Sequence, residues 1–475
     1  MANFGVKQKL FWRLRASEKR IILIMGDGFC SILALFLALL LWARETDEWL
    51  GFSWEFLLER PPAWYYLLPV LWILLLSGLY DVRKASKVME TIGGIAMSAL
   101  LSSSIYLLIF FLAERGTLPR LGVALFFIGS AFFTLIWRLI YIQVFNAPRF
   151  LRRVIIVGAG NSGRTMAKIA KNSWPVPFYL VGFVDDDPDK TGIEVEGFPV
   201  LGNGKELLTI VEEKEISDII FAITKEMNPS MLDSVLLAEE KGIEVTTMPI
   251  IYEEIMGRVP IFLLQTDWVL RSLVDQAHVN RFYEIGKRAI DILGGLIGGV
   301  FLIGLFPFIS LFIKLDSSGP IIYRQIRLGK NGKEFTIIKF RTMIIDAEKD
   351  GKARPAIEHD ERITKIGGLL RKSHLDELPQ VINILNGEMS LVGPRSERPE
   401  IVEKYQKQIP FYRARLFVKP GLTGWAQVNY GYASDAEQNS IKLEYDLYYI
   451  KHRDLMLDIS ILFQTVGSVI GLKGR

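Results

Sequence analysis

The most chemically distinctive residues of the sequence are two adjacent carboxylates, Asp376 and Glu377, which follow Arg371 and Lys372. Their stretch predicts the first turn of an amphipathic helix, where backbone N–H groups attract phosphate. A carboxylate pair beside cations at such a place is typical of a nucleophile or of a Mg²⁺ ligand set at a phosphate site. The alternative is structural, since Ser373 and Asp376 have the spacing of a capping box, in which Asp376 would only cap the helix.

Further cations and a glycine-rich loop accompany this pair. Lys339 and Arg341 alternate along a predicted strand, so both side chains project from one face. Two cations so placed suit a phosphate group. Downstream, a Gly-Pro turn presents Arg395, and a glycine-rich loop after Lys419 offers Trp425 as an aromatic stacking surface. This part of the chain therefore predicts a phosphate-binding site beside the carboxylate pair.

The composition excludes several other kinds of site. The chain has 475 residues, of which 50% are apolar and 12% aromatic, and its mean hydropathy is +0.27. This is too apolar for a disordered chain and for most soluble enzymes. The 56 basic and 52 acidic residues leave a net charge of only +4, which argues against a nucleic-acid partner. Because Cys30 is the single cysteine and there are four histidines, we expect neither an internal disulfide nor a Cys/His zinc site.

Four apolar stretches precede residue 150, at residues 21–43, 64–80, 91–113 and 121–145. Each is near the ~20 residues that span a bilayer, and the first is too long for a signal-peptide core, so we expect it to be retained. Lysine and arginine cluster before the first stretch, between the second and third, and after the fourth, whereas the first connection is acidic. This pattern places both ends of a predicted four-helix transmembrane domain, residues 1–148, in the cytoplasm. The cations concerned are Arg13, Arg15, Lys19, Arg20, Arg83, Lys84, Lys87, Arg149, Arg152 and Arg153.

Two charged residues, Asp27 and Arg138, fall inside the predicted spans. Intramembrane charges can mark a transport path. Arg138, however, is near a helix end, from which its long side chain can reach the membrane surface. A lone Asp27 makes no proton relay. We therefore expect a structural role for both residues.

After residue 150 the pattern changes to alternating strands and helices, which predicts a parallel α/β sheet. The predicted strands lie at residues 154–157, 179–184, 218–222 and 244–249. The first is followed directly by a G-x-G-x-x-G sequence and the second by three acidic residues. Glycines so placed let a backbone approach a pyrophosphate, and an acidic residue binds the ribose, but three acids before a proline equally suit a turn. A bound nucleotide and an empty structural layer are both open, and the residues concerned are Gly158, Gly160, Gly163 and Asp185.

A fifth apolar segment, residues 289–313, has basic residues on both flanks, Lys287 and Lys314. The positive-inside tendency places both flanks in the cytoplasm. Pro307 lies in its second half, where it removes a backbone hydrogen bond. We therefore predict a re-entrant helix, residues 287–315, with a break, which enters and leaves the membrane by the same face. The alternative, one plain fifth span, fits the length alone.

Taken together, these residues resemble the bacterial sugar transferase family, the polyprenyl-phosphate hexose-1-phosphate transferases. The layout of the N-terminal half resembles the large form of the family, which includes undecaprenyl-phosphate galactose and glucose phosphotransferases. One departure is that many members read G-P-R-P-E, whereas here Ser396 follows Arg395, which affects only the rigidity of that loop. The motifs that carry the resemblance are a K-R-x-x-D pattern at residues 287–291 and residues 339–343, 375–380, 390–395 and 419–428, within about residues 281–475.

The resemblance implies a reaction in which UDP-sugar and undecaprenyl phosphate give undecaprenyl-diphospho-sugar and UMP, with Mg²⁺. It also implies a re-entrant membrane helix. On this basis Asp376 is the expected nucleophile, which attacks the β-phosphorus and leaves a sugar-phosphoryl aspartate that the lipid phosphate then attacks. Asp376 and Glu377 are the expected Mg²⁺ ligands, and Glu377 also helps to position the nucleophile. The expected phosphate and substrate contacts are Lys339, Arg341, Arg371, Arg395, Lys419 and Gln427.

The expected architecture is a membrane α-helical bundle (residues 1–148), a Rossmann-like α/β domain (149–265) and an α-rich, membrane-associated catalytic domain with the re-entrant helix (266–475). The tail, residues 443–472, reads as amphipathic helices that either lie on the membrane or close the catalytic fold. We expect a multi-pass protein of the bacterial inner membrane, with its catalytic domain on the cytoplasmic face and no nucleic-acid partner. A homodimer and the identity of the sugar are left open.

Two rival functions follow from the same sequence. One is a membrane-anchored nucleotide-sugar oxidoreductase that uses the glycine-rich loop. Short-chain oxidoreductases need a Tyr-x-x-x-Lys pair, and in this sequence that pair occurs only at Tyr80/Lys84 and Tyr283/Lys287. Because both lie outside the α/β unit, the sequence argues against this function. The other is a non-enzymatic membrane sensor, which leaves the Asp376–Glu377 pair among cations without a purpose.

Overall fold

The computed structural model describes residues 16–45, 51–112, 119–145, 151–173, 176–223, 227–263, 281–345, 347, 360–431 and 435–470. The chain forms two compact units, residues 1–255 and residues 256–475. The cations Arg13, Arg15 and Arg149, which contribute to the predicted membrane orientation, lie outside the described residues. So do the predicted domain boundaries at residues 148–149 and 265–266.

In the described residues, six α-helices make up the first part of the first unit. Three of them, α1, α5 and α6, are long and apolar enough to cross a membrane. Their apolar side chains, among them Leu39, Trp72 and Phe126, form a buried core. The helices are α1 (Ala16–Glu45), α2 (Trp54–Glu59), α3 (Leu68–Leu75), α4 (Val82–Ala85), α5 (Val88–Leu112) and α6 (Arg120–Phe145).

The second predicted span differs from the prediction of one continuous helix. Short 3₁₀ turns, Ala63–Leu67 and Ser77–Tyr80, flank the eight-residue helix α3. Pro69 lies in the first turn of α3. Because proline lacks the N–H that an interior position would donate, it favours a new helix start at this point.

The two charged residues inside the predicted spans, Asp27 and Arg138, meet in the core of the helical part. The Nη2 atom of Arg138 lies 2.6 Å from Oδ2 of Asp27, and both side chains are fully buried. Arg138 also donates from Nη1 to the Leu79 carbonyl at 2.8 Å. This ion pair is consistent with the expected structural role of both residues. The prediction that the Arg138 side chain reaches the membrane surface is wrong, because it is buried against Asp27.

This ion pair predicts a large stability effect of single substitutions. In Asp27→Leu the buried Arg138 charge loses its partner, and we expect the free energy of unfolding in detergent to fall by about 3–5 kcal/mol. The double variant with Arg138→Met removes both charges and is expected to recover most of that loss. Equal losses in the single and double variants would contradict the pairing.

The second part of the first unit is a six-stranded mixed sheet in the order β3-β4-β2-β1-β5-β6. All neighbours are parallel except β3 and β4. The four strands predicted from the sequence are present, and β6 ends before Met248 because Met248 and Pro249 begin the next helix. The strands are β1 (Arg153–Val157), β2 (Tyr179–Val184), β3 (Glu194–Val195), β4 (Phe198–Gly202), β5 (Asp218–Phe221) and β6 (Glu244–Thr247), and the helices are α7 (Asn161–Asn172), α8 (Leu207–Glu213), α9 (Pro229–Glu240) and α10 (Met248–Met256).

In the second unit the first helix among the described residues is the long α11 (Arg281–Asp316), which is followed by a β-hairpin and further helices around a two-stranded parallel pair, β9 and β10. Its core includes Leu443, Leu447 and Ile461. The predicted C-terminal helices therefore help to close this fold. The strands are β7 (Ile322–Leu328), β8 (Glu334–Phe340), β9 (Ser390–Val392) and β10 (Gly421–Thr423), and the later helices are α12 (Lys365–Lys372), α13 (Val381–Leu385), α14 (Pro399–Gln406), α15 (Trp425–Asn429), α16 (Ala436–His452) and α17 (Leu455–Ile470).

Helix α11 is continuous over 36 residues, with Pro307 inside it. The predicted break is therefore not seen, since one missing hydrogen bond can bend a helix without ending it. Along one side α11 contacts its own unit over its whole length. Near its start, Asp291 accepts hydrogen bonds from Ser390 Oγ and the Leu391 N–H, and at its end Asp316 accepts one from the Ile366 N–H.

The opposite side of α11 is an exposed apolar stripe. The side chains recur every three or four residues, which is the spacing of one helix face. Several are more than 60% exposed, including Val300 at 72% and Ile303 at 78%. The stripe comprises Leu293, Leu296, Ile297, Val300, Phe301, Ile303, Phe308, Leu311, Phe312 and Leu315.

Candidate active site

The carboxylate pair lies on a 3₁₀ helix, Leu375–Gln380, directly after α12. His374 separates the two helices in the left-handed conformation, at φ 57°. Ser373 belongs to the end of α12, where its hydroxyl donates to the Leu369 carbonyl at 2.9 Å. The capping-box alternative is therefore wrong: Ser373 does not cap the following helix, and among the described residues no side-chain hydrogen bond of Asp376 is seen.

Glu377 is held by two of the cations predicted to bind phosphate. Lys339 Nζ, from β8, lies 2.6 Å from its Oε1 atom, and Arg395 Nη2, from the turn after β9, lies 2.7 Å from the same atom. Burial raises the pKa of Glu377, but the charges of Arg395 and Lys339 outweigh burial and hold that pKa well below its usual range. Glu377 is therefore an ionised anchor for two cations.

Asp376 has the opposite electrostatic character. Burial and the neighbouring charge of Glu377 raise its pKa to about 6, although Lys339, Arg395 and Arg371 favour its ionised form. Arg371 lies in the last turn of α12, close enough for its charge to act on Asp376, and its predicted contact with phosphate stays a prediction. The arrangement provides a half-buried carboxylate with three cations around it.

This pKa predicts a pH dependence of any reaction in which Asp376 attacks. Only the ionised carboxylate is nucleophilic, so we expect kcat/KM to fall about tenfold per pH unit below pH 6. A pH–rate profile between pH 5 and 9 measures this. Burial lowers the pKa of His374 from the ordinary histidine value, which lies in this range, so His374→Asn, which tolerates the left-handed backbone, is the control and should keep the same acidic limb.

The contribution of Asp376 to the free energy of unfolding is expected to change with pH in the direction opposite to its contribution to activity. The pKa of Asp376 in the folded protein lies above the unfolded value, so its protonated form is favoured by folding. The corresponding stabilisation is complete below the unfolded pKa and is lost as the pH rises through about 6. Activity therefore needs the ionisation state of Asp376 that folding disfavours.

Arg341 does not share a partner with Lys339, although the two were predicted on one strand face. Its Nη2 atom donates to the backbone carbonyl and the hydroxyl of Ser317, at 2.7 and 2.9 Å. The side chain is 7% exposed, and its Nε and Nη1 atoms have no hydrogen-bond partner among the described residues. Burial lowers the pKa of Arg341, and the charge of Asp316 opposes this shift. The guanidinium retains two buried donors.

Lys419 and Gln427 lie on the β9–β10 side of the unit. Burial and the charge of Arg288 lower the pKa of Lys419, and the charge of Asp291 opposes them, which associates Lys419 with the start of α11. Gln427 donates from Nε2 to the Leu422 carbonyl at 3.2 Å, and its buried Oε1 has no partner among the described residues. No contact of either residue with Asp376 is seen among these residues.

The glycine-rich loop has a packing function. A Cβ atom on Gly421 would lie 2.1 Å from the Gly393 nitrogen, so the two turns approach too closely for a side chain. Trp425 is 4% exposed, donates from Nε1 to the Gly257 carbonyl at 2.8 Å and stacks on Tyr448. The predicted aromatic stacking surface is wrong, because Trp425 is a core residue.

A buried ionic network behind Arg395 was not predicted. Arg415 lies 2.8 Å from Asp446 and donates to the Arg395 carbonyl at 3.2 Å, and Lys442 lies 2.8 Å from Glu397. Burial raises the pKa of Glu397, but Lys442 and Arg415 outweigh burial and lower it to about 2. The network fixes the backbone that presents Arg395, and its sequence signal was the acidic residue that follows the G-P-R motif.

The carboxylate pair offers few free ligands for a magnesium ion. Among the described residues, no group of three or more His, Cys, Asp or Glu side chains could hold a metal ion. Oε1 of Glu377 already binds two cations. Within the described part of the chain Asp376 has no such partner, and Mg²⁺ often uses one carboxylate together with substrate phosphates. The described side chains therefore supply too few ligands to hold a metal without substrate, and Asp376 as a Mg²⁺ ligand stays a prediction.

In the first unit the glycine-rich loop and Asp185 lie together, as predicted. The Ala159 N–H donates to Asp185 Oδ2 at 2.7 Å, and the Asp187 N–H donates to Oδ1 at 3.0 Å. Lys190 pairs with the same carboxylate at 3.2 Å. At Gly163 a Cβ atom would lie 2.0 Å from the Gly158 carbonyl oxygen, so glycine is required there for packing.

Both tyrosines of the Tyr-x-x-x-Lys pairs lie in packed parts of the fold. Tyr80 is buried among the helices of the first unit. Tyr283 and Lys287 both bind Asp458 of α17, at 3.1 and 2.9 Å, and Lys287 also donates to Tyr449 at 3.0 Å. These contacts join α11 to the C-terminal helices, so the pair has a structural place in the fold.

Comparisons with known proteins match this organisation. Residues 282–471 match the family described as bacterial sugar transferase, and residues 76–249 match one described as a CoA-binding domain. A UDP-glucose:undecaprenyl-phosphate glucose-1-phosphate transferase of Xanthomonas campestris pv. campestris is 31% identical over 68% of this chain and 67% of its own. The Escherichia coli K12 protein of the same name is 34% identical over 66% of this chain and 67% of its own.

Two further matches cover a smaller share of this chain. A UDP-N-acetylgalactosamine-undecaprenyl-phosphate N-acetylgalactosaminephosphotransferase of Aeromonas hydrophila is 41% identical over 42% of this chain and 49% of its own length, so the match spans about half of that relative. A UDP-D-quinovosamine 4-dehydrogenase structure from Vibrio fischeri reaches a TM-score of only 0.20 at 22% identity, over 24% of this chain and 90% of that chain. That likeness is too weak to support the oxidoreductase alternative. From the transferase relatives and the matched catalytic region, this chain belongs to the bacterial sugar transferase family.

Proposed function

We propose that this chain transfers a sugar 1-phosphate from a UDP-sugar to undecaprenyl phosphate and releases UMP. The observation that carries the proposal is the position of Asp376, a half-buried carboxylate with a raised pKa, next to cations that Glu377 holds in place. Phosphoryl transfer needs a nucleophile and fixed positive charge around the phosphate oxygens. The names of the relatives supply the two substrates.

In the proposed first step, an Asp376 carboxylate oxygen attacks the β-phosphorus of the UDP-sugar. The bond from that phosphorus to the bridging oxygen breaks, and UMP leaves with the bridging oxygen and its electron pair. The product is a sugar-phosphoryl aspartate. In the second step, an oxygen of undecaprenyl phosphate attacks the same phosphorus, which releases the Asp376 carboxylate and forms undecaprenyl-diphospho-sugar.

The surrounding residues would stabilise charge in both steps. Lys339 and Arg395 are held by Glu377, so they need no rearrangement as charge develops on the phosphoryl oxygens. Arg371 favours the ionised form of Asp376. Arg341 has two buried donors without a partner among the described residues, which suits a phosphate contact. Mg²⁺, when bound by Asp376 and the diphosphate, would neutralise part of the substrate charge.

We further propose a re-entrant arrangement of α11, with the catalytic unit on the cytoplasmic face of the inner membrane, although α11 is also long and apolar enough to cross a membrane. A helix that crosses a bilayer needs ~20 residues in the hydrocarbon core. Contacts of α11 with its own unit instead continue from Arg288, which donates to the carbonyls of Ile384 and Leu385, to Asp316. The exposed apolar stripe provides the side that would enter the lipid.

Cysteine labelling tests this arrangement. In a Cys30→Ala background, Lys407→Cys places an exposed thiol on the catalytic unit, and Glu55→Cys places one in the predicted external connection. With a membrane-impermeant maleimide, we expect Glu55→Cys to react in cells with an opened outer membrane, and Lys407→Cys to react only after the inner membrane is permeabilised. Reaction of Lys407→Cys before permeabilisation would contradict the proposed topology.

We propose that the six-stranded sheet forms a Rossmann-like layer with a structural role. The support is that Asp185, the expected ribose ligand, accepts the Ala159 N–H of the glycine-rich loop and pairs with Lys190. These contacts occupy groups that a dinucleotide would need. Denaturation of the purified protein is expected to release no NAD(H), and stoichiometric release would contradict the proposal.

The function itself is tested with the purified full chain in nanodiscs. A panel of radiolabelled UDP-sugars is supplied with undecaprenyl phosphate, and lipid-linked label and UMP release are measured together. We expect one donor to give equal amounts of both products. Label in the lipid without UMP, or no transfer from any donor of the panel, would contradict the proposal.

A further inference from the structure

A small cleft lies beside the carboxylate pair and is lined mainly by hydrogen-bond donors. Its walls include the side chains of Arg327 on β7, Lys339 on β8 and Arg395 after β9, with Gln380 from the end of the 3₁₀ helix. Gly421 forms part of the lining and contributes no side chain. The cleft therefore adjoins Glu377 and its two cations, but it extends to residues for which the reaction has no assigned use.

Gln380 is the least expected of these residues. Its side chain is 2% exposed, and its Nε2 atom is buried without a hydrogen-bond partner among the described residues. A buried amide without a partner is destabilising, so nearly all such groups in folded proteins bind another protein group, water or a ligand. A buried N–H group that lines a cleft and has no partner in the protein therefore indicates that an acceptor binds in the cleft.

Arg327 presents a similar donor. Its Nη1 atom donates to the Ser396 carbonyl at 3.1 Å and its Nη2 atom to Gln325 at 2.7 Å, so the guanidinium is oriented by its neighbours. Its buried Nε atom has no partner among the described residues. Arg327 and Gln380 thus each keep one buried donor in residues that line the same cleft.

The charge of the cleft indicates the kind of acceptor. Lys339, Arg395 and Arg327 carry three positive charges, while Glu377 neutralises the first two in part and Glu397 lies 3.9 Å from Arg327. A sugar hydroxyl brings a donor as well as an acceptor, whereas phosphoryl oxygens only accept. Donors supplied mainly by cations are the environment that phosphate groups prefer.

We propose that Gln380 and Arg327 bind a substrate phosphoryl group in this cleft, next to the phosphorus that Asp376 attacks. The proposal rests on the proposed function for the origin of that group, which is either the nucleotide phosphate of the donor or the phosphate of the lipid acceptor. Gln380 is then a substrate-binding residue. Glu377 positions Lys339 and Arg395, which contact the same phosphoryl group.

The test compares Gln380→Leu and Gln380→Glu in the full chain in nanodiscs, with UMP and farnesyl phosphate as probes in calorimetric titrations. Gln380→Leu removes one donor to a charged acceptor, and we expect it to weaken binding of the relevant probe about tenfold. Gln380→Glu places a negative charge near the phosphate and is expected to weaken binding further. Gln408→Leu, a glutamine change on the exposed surface, is the matched control and should bind both probes as the wild type does.

Thermal unfolding of the same proteins separates binding from folding. The new carboxylate in Gln380→Glu lies among cations, so its unfolding temperature is expected to equal or exceed that of the wild type. A structural glutamine would instead lose stability in both variants. Weaker binding together with an unchanged or higher unfolding temperature therefore supports a ligand contact, and a lowered unfolding temperature in Gln380→Glu overturns it.

The two probes distinguish the source of the phosphate. Loss of UMP binding alone assigns the cleft to the nucleotide, and loss of farnesyl phosphate binding alone assigns it to the lipid acceptor. Wild-type affinity of Gln380→Glu for both probes overturns the proposal, even if the wild-type enzyme transfers sugar phosphate. Weaker binding by the variant while the wild type transfers no sugar would leave the phosphoryl site standing and reject the proposed function.

Discussion

Asp376→Asn is expected to lower the transfer of sugar phosphate to undecaprenyl phosphate by about 10⁴-fold or more, because an amide cannot form the phosphoryl intermediate. The fold should be unaffected, since no side-chain hydrogen bond of Asp376 is seen among the described residues. Its pKa of about 6 also means that the ionised carboxylate is disfavoured by folding. At pH 7 the variant is therefore expected to unfold at the same temperature as the wild type or a higher one.

A direct test of the intermediate accompanies this variant. With UDP-sugar labelled in the β-phosphate and without lipid acceptor, the wild type should retain label after denaturation, while Asp376→Asn should retain none. Asp360→Asn is a suitable control for a carboxylate change, since Asp360 pairs with Arg362 elsewhere in the same unit and should leave labelling intact. Near wild-type transfer by Asp376→Asn would reject this residue as the nucleophile.

Glu377→Gln is expected to give the second largest effect, through the two cations that Glu377 holds. Lys339 and Arg395 both contact the same oxygen, so the amide removes the carboxylate that pairs directly with both of them. We expect the free energy of unfolding to fall by about 2–3 kcal/mol, less than for a fully buried pair because Arg395 is partly exposed. Transfer activity is expected to fall about 100-fold, because the charges around the phosphate are no longer preorganised.

The same variant makes a distinct prediction about pH. The charge of Glu377 helps to raise the pKa of Asp376, so in Glu377→Gln that pKa should fall and the acidic limb of the pH–rate profile should move below pH 6. Glu403→Gln is the control, since it breaks only the exposed pair with Lys407 and should cost less than about 0.5 kcal/mol. An acidic limb that stays in place in Glu377→Gln would contradict the assigned coupling of the two carboxylates.

Local patterns in the sequence predicted much of the architecture. Alternation and apolar runs placed the strands that became β1, β2 and β5, since strand burial depends on consecutive residues. These local patterns did not predict the two 3₁₀ turns that flank α3. Apolar composition measures the tendency to enter lipid and does not show where a proline begins a new helix.

The candidate site was predictable in its residue types and only partly in its geometry. Asp376, Glu377, Lys339 and Arg395 were identified because adjacent carboxylates and spaced cations suit phosphate chemistry in any context. Their pairing was not identified, and the sequence suggested instead that Glu377 binds metal. The buried donor of Gln380 could not be predicted either, because an amide without a partner is defined by what surrounds it.

The sequence by itself determined which side chains are available and the local periodicity of the elements that carry them. Tertiary structure alone decided which charges meet: Glu377 pairs with residues 38 and 18 positions away, and Arg138 with one 111 positions away. It also decided that Trp425 is buried and that Ser373 ends one helix without capping the next. The physical reason is that hydrogen bonds and ion pairs depend on distances of about 3 Å, which packing of remote segments sets and local sequence does not.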